Sequence, residues 1–90
     1  MKTITITWKA FSHGAPTSAT FETSLQGHDF AICEALFVDT NHYRGILWDA
    51  LEAHLPEERT HTALSVGDEV TIDGQTYVCA DIGWKALSNQ

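Results

Sequence analysis

Ninety residues, 43% of them hydrophobic and including three Trp, four Phe and two Tyr, supply material for one core, so the chain reads as a single domain over 1–90. That aromatic content argues against disorder, and no apolar run approaches the roughly 20 residues of a membrane-spanning helix. Twelve Asp and Glu against five Lys and Arg give a net charge of −7, which disfavours direct nucleic-acid binding because phosphates are bound by Lys and Arg.

The start, Met1-Lys2-Thr3-Ile4-Thr5-Ile6-Thr7, alternates instead of forming a continuous apolar segment, so the expected compartment is the cytoplasm. Residues 3–11 predict a strand, with Ile4, Ile6 and Trp8 on one face and Thr3, Thr5, Thr7 and Lys9 on the other. Ser12 to Ser18, with Gly14 and Pro16, reads as a turn, and Ala19-Thr20-Phe21-Glu22-Thr23 alternates again, so the two segments pair as a hairpin.

Asp29 is placed to cap a helix over Phe30 to Val38. Phe30, Cys33 and Phe37 form its stripe, flanked by Ile32 and Leu36; the opposite side, Ala31, Ala35 and Val38, is unusually apolar for a solvent face. Asp39-Thr40-Asn41 ends this helix and can cap the next, near 43–55. There Leu47, Trp48, Leu51 and Leu55 share one face and Asp49, Glu52 and Ala53 the other, until Pro56 stops it. Residues 56–62 form a polar connection.

From Leu64 the pattern is β again. Gly67-Asp68 reads as a tight turn, and Asp73-Gly74 is a two-residue hairpin signal. Pairing about it sets Ile72 against Gln75 and Val70 against Tyr77. Val70, Ile72, Tyr77 and Cys79 then face the core, with Glu69, Thr71, Thr76 and Val78 outward. Gly83-Trp84, after a short break, either closes the sheet as a short fifth strand over Ile82–Lys85 or covers its edge, and Ser88-Asn89-Gln90 frays. The predicted fold is α+β in the order ββ-αα-ββ: an antiparallel sheet of four to five strands with two helices on one face.

No residue set predicts catalysis or a cofactor. His13, His28, His42, His54 and His61 form no His-x-x-x-His pair, and no phosphate-binding glycine loop occurs. Ser65, His61 and Asp68 offer triad residue types without the strand-turn-helix setting a nucleophile needs. Cys33 and Cys79, outside any CxxC pair, are expected as reduced core thiols.

The charge is uneven. Residues 29–81 hold eleven acids against Arg44 and Arg59, a net of −9, while residues 1–28 carry +1 and 82–90 carry +1. Glu34, Asp39, Asp49, Glu52, Glu57 and Glu58 are the candidate partner-binding residues: a negative surface for a protein with a basic groove, spaced in imitation of nucleic-acid phosphates. A solvated face that only aids solubility accounts for the same charge.

Leu64-Ser65-Val66-Gly67-Asp68-Glu69-Val70, Asp73-Gly74, Tyr77 and Asp81-Ile82-Gly83-Trp84-Lys85-Ala86-Leu87 together resemble the YodL-like domain family, with its SLSVGD-type turn, hairpin and Gly-aromatic-Lys ending. Ala63 before Leu64 and Trp84 in place of the frequent Phe are departures. The Asp-Ile-Gly-Trp ending also resembles small proteins of actinobacterial phages and plasmids, and the likeness covers the last third of the chain. It implies a mobile-element protein of a kind with no established active site, often set beside genes that blunt host defences. Joined to the acidity, it gives the expected function: a phage inhibitor of a host nuclease or CRISPR effector. The alternative is a structural or regulatory interaction module, monomeric or a homodimer through the Ala31-Ala35-Val38 face.

Overall fold

Alternation in the first residues becomes β1 (Lys2–Trp8), with Ile4, Ile6 and Trp8 fully buried on one side and threonines on the other. The computed structural model describes residues 1–9, 17–41, 45–55 and 63–87. The remaining elements are β2 (Thr17–Thr23), α1 (Asp29–Asn41), α2 (Ile46–Glu52), β3 (Glu69–Ile72), β4 (Gln75–Cys79) and β5 (Trp84–Ala86). The five strands form one antiparallel open sheet in the order β2-β1-β3-β4-β5. This is the expected α+β arrangement. The turn at 12–18, the end of the first strand, Pro56, the 56–62 connection and the last three residues lie outside the described residues, wholly or in large part.

The β3–β4 hairpin has the predicted register, with Ile72 opposite Gln75 and Val70 opposite Tyr77. Asp73 (φ 47°) and Gly74 (φ 92°) both adopt the left-handed conformation a type I′ turn demands. Asp73 has a second duty. Its carboxylate accepts the Thr3 N–H at 2.8 Å, and its own N–H donates to the Thr3 carbonyl at 3.0 Å, stitching the late hairpin to the first strand.

The segment before β3 is explained by a second turn. The Asp68 N–H donates to the Ser65 carbonyl at 2.9 Å, and Gly67, third in that turn, has φ 99°, which only glycine takes readily. Gly67 and Asp68 both bond Cys79 of β4, a two-against-one bulge that twists the chain into the sheet. Asp68 is fully buried. Its carboxylate accepts the Lys9 N–H at 2.7 Å and the Ser65 N–H at 2.9 Å, so the charge is held by backbone donors from two segments.

One face of the sheet carries the core: Ile4, Ile6, Trp8, Ala19, Phe21, Val70, Ile72, Tyr77, Cys79 and Trp84, covered by Ile32, Cys33 and Leu36 of α1 and Leu47 and Leu51 of α2. α1 packs towards β5 and α2 against both α1 and β2. Among the described residues no helix covers the other face. Hydroxyl pairs cross it, Thr5 with Thr20 at 2.9 Å and Thr71 with Thr76 at 2.8 Å, and Lys9 meets Glu69 at 2.7 Å.

Two details of α1 differ from expectation. The buried stripe is Ile32, Cys33, Leu36 and Thr40, turned away from the Phe30-Cys33-Phe37 line, and the helix continues to Asn41. Thr40 explains both. Its hydroxyl donates to the Leu36 carbonyl at 2.9 Å and accepts the Leu64 N–H at 3.2 Å, so a polar residue is buried with its bonds made. Phe30 stays 47% exposed and packs edge-to-face on Tyr77, ring centroids 5.1 Å apart. Asp29 does not cap its own helix; its carboxylate accepts the Tyr77 hydroxyl at 2.5 Å and lies 3.4 Å from the Lys2 ammonium.

Candidate partner-binding surface

The acids divide into two sets by what their carboxylates touch. Asp29, Asp39, Asp68, Glu69 and Asp73 are engaged within the fold. Glu22, Glu34, Asp49, Glu52 and Asp81 are exposed. Glu57 and Glu58 lie outside the described residues.

Asp39 therefore has a structural part. Its carboxylate accepts the Trp48 N–H at 3.1 Å, capping α2 from the neighbouring helix, which suits the positive end of a helix dipole. Gly45, at the N-cap, leaves room for this: a Cβ there would stand 2.9 Å from the Asp39 carboxylate. The sequence prediction that Asp39-Thr40-Asn41 caps the second helix is met through this side chain, while all three residues remain helical.

Asp49 and Glu52 project together, three residues apart on the exposed side of α2, with Leu47 and Leu51 buried behind them. Glu34 sits elsewhere. It lines a cleft of about 220 Å³ with Phe37, Cys79, Ala80, Asp81, Gly83 and Trp84, on the flank of α1 that faces the β4–β5 turn. Its acidic neighbour is Asp81, not a residue of α2. The helical layer thus presents two acidic stations, one on α2 and one at the β5 flank.

Neither helix contains a Lys or Arg. The described lysines are all on or beside strands; Lys2 meets Asp29, Lys9 meets Glu69, and Lys85 lies on β5. The layers are therefore electrically unlike, the sheet mixed and the helices purely negative.

The β4–β5 turn adds an apolar feature. Ile82 is 92% exposed and Val66 53%, and they line one groove with Ala80, Asp81 and Lys85. The sequence pattern sets Ile82 in the fifth strand; in the structure β5 begins at Trp84 and Ile82 lies in the turn before it. The signal was present in a large aliphatic residue between Asp and Gly, where a turn leaves nothing to cover it.

The thiols are not arranged for chemistry. Cys33 and Cys79 are free and buried. Burial, reinforced by the charges of Asp29 and Glu34, pushes Cys33 up to about 12, and burial raises Cys79 as well. The Asp68 carboxylate of the sequence triad holds the Ser65 backbone in the turn, and His61 lies outside the described residues. Among the described residues no group of three or more His, Cys, Asp and Glu could hold a metal, and no helix is long and apolar enough to cross a membrane. Compared with known proteins, the chain matches no family model, no curated protein and no solved structure.

Proposed function

We propose that this protein is a non-catalytic binding module that presents the carboxylates of its helical layer to a basic protein surface. The observation behind this reading is the charge division between layers: two helices without a cation, backed by a sheet whose lysines Lys2 and Lys9 are already paired. Asp49 and Glu52 are the first contacts, with Glu34 and Asp81 as a second station and Glu57 and Glu58 available from sequence. Opposed potentials of this kind accelerate encounter and make it salt-sensitive. The finer reading takes its context from the YodL-like resemblance: the basic surface is the nucleic-acid groove of a host defence nuclease or CRISPR effector, and occupying it inhibits the enzyme. A regulatory module acting as a homodimer is the other reading, favoured by the position of β2 at the end of the strand order.

The test is capture of partners from a host lysate, followed by titration of the purified partner at low and high salt. Binding that weakens steeply with salt and is lost in the Asp49→Lys/Glu52→Lys double variant, with the fold intact by circular dichroism, supports the module. A partner held equally well by the double variant refutes it.

A further inference from the structure

β2 is the outermost strand, and its seven residues contain no Lys and no Pro and keep an unbroken register with β1. Edges are ordinarily blunted by such devices, because unpaired backbone groups template another strand.

The direction of its free groups follows from the far side of the sheet. A two-residue turn makes Ile72 and Gln75 a hydrogen-bonded pair, so Val70 and Ile72 bond β4. Glu69 and Thr71 then bond β1, in phase with the Asp73 N–H on the Thr3 carbonyl. Alternation passes through β1: Thr3, Thr5 and Thr7 face β3, while Lys2, Ile4, Ile6 and Trp8 bond Thr23, Phe21, Ala19 and Thr17. The N–H and C=O groups of Ser18, Thr20 and Glu22 are left pointing off the sheet. The 2.9 Å contact between the Thr5 and Thr20 hydroxyls fits the closer, non-hydrogen-bonded kind of pair.

We propose that this edge is a homodimer interface, in which β2 of one protomer pairs antiparallel with β2 of its partner about a two-fold axis at Thr20. Thr20 then opposes the partner's Thr20, and Ser18 opposes the partner's Glu22. Every outward donor and acceptor on both strands is used. The side chains suit the same register. A hydroxyl faces each Glu22 carboxylate, and the two Glu22 residues stand four positions apart, about 13 Å along the strand, beyond a Debye length of about 8 Å. On the helix side, small Ala19 opposes the partner's large Phe21. On the helix side α2 packs on β2, and His54, just after it, lines one groove with Thr20, Phe21 and Glu22. A strand from an unrelated protein would have no need of this self-complementary register; a second copy does.

Sedimentation of the full chain from low to high micromolar concentration tests the proposal, with a dimer of twice the 10.0 kDa chain mass expected. Thr20→Pro removes an N–H that points off the sheet and leaves the bonds to β1, so a folded monomer is expected. Ser18→Glu sets carboxylate against carboxylate and weakens the dimer several-fold at low salt; Ser18→Lys pairs opposite charges at the same place and holds or tightens it. A chain monomeric throughout, a dimer that survives Thr20→Pro in a folded variant, or one dissolved by Ala35→Glu instead overturns the proposal. Should Thr20→Pro not fold, the two Ser18 variants decide it, and matching responses from them overturn it.

Discussion

Removing the Asp68 carboxylate is the sharpest test of how the two ends of the chain are joined. Asp68→Ala leaves two backbone donors, Lys9 N–H and Ser65 N–H, without the acceptor they have at 2.7 and 2.9 Å. An orphaned buried donor costs about 1–3 kcal/mol, and bonds to a carboxylate stand at the upper end. Lys9 itself is exposed, so water recovers part of its loss. The sum is about 3 kcal/mol, a large share of the 5–15 kcal/mol typical of a small domain. In a chain of this size that lowers Tm by about 12–24 °C. Asp68→Asn retains one acceptor and turns its amide toward the other donor, so it falls between wild type and alanine. Urea unfolding of the three proteins, followed by tryptophan fluorescence, measures the series. An alanine variant within about 0.5 kcal/mol of wild type would show that water replaces both bonds, and the clamp would then contribute nothing.

Two further predictions rest on the same geometry. Asp39→Ala loses the cap on α2 and costs about 1 kcal/mol in urea unfolding; Gly45→Ala, which crowds the Asp39 carboxylate, loses a similar amount. Alkali destabilises the fold. Cys33 and Tyr77 are both pushed up to about 12, Cys33 by burial and Tyr77 by its hydrogen bond to Asp29 together with burial. The neutral forms are favoured only in the folded chain, so stability holds below pH 9 and falls between the ordinary thiol and phenol values of 9.0 and 10.0 and about 12. Urea midpoints at several pH values check this, and Tyr77→Phe should flatten the part above pH 10.

What was legible in the sequence was whatever depends on near neighbours. The Asp73-Gly74 turn sets the register of β3 and β4 by itself, and Ile4-Thr5-Ile6 declares its buried face by alternation. The helices were harder. α1 is apolar nearly all round, so its sequence does not choose a face; the choice comes from Thr40 bonding Leu64 and from Tyr77 drawing Phe30 to the rim. The same limit applies to the candidate site. Asp49 and Glu52 were readable because they share a helix turn, whereas the pairing of Glu34 with Asp81 joins residues 47 positions apart, across elements whose adjacency is a tertiary fact. Asp39 is ambiguous for a related reason: a carboxylate that caps a neighbouring helix and one that waits for a partner are identical in sequence.

That last point changes how the net charge of −7 is to be used. Long-range attraction counts every carboxylate, including Asp68 in the core, because a potential sums over all charges. Contact does not. A partner can touch only the exposed set, and among the described helical residues that set is Glu34, Asp49 and Glu52. Charge reversal at Asp29, Asp68 or Asp73 would also abolish binding, through loss of the bonds to Tyr77, Lys9 or Thr3, and would imitate a contact residue in any screen read by binding alone. The two kinds separate by Tm. Neutralising an exposed contact carboxylate slows association and shallows the salt dependence while Tm holds, whereas neutralising a fold carboxylate lowers Tm as well. Asp39 against Asp49 is the cleanest pair for that comparison, since both belong to the helical layer and only Asp39 has a backbone N–H on its oxygen.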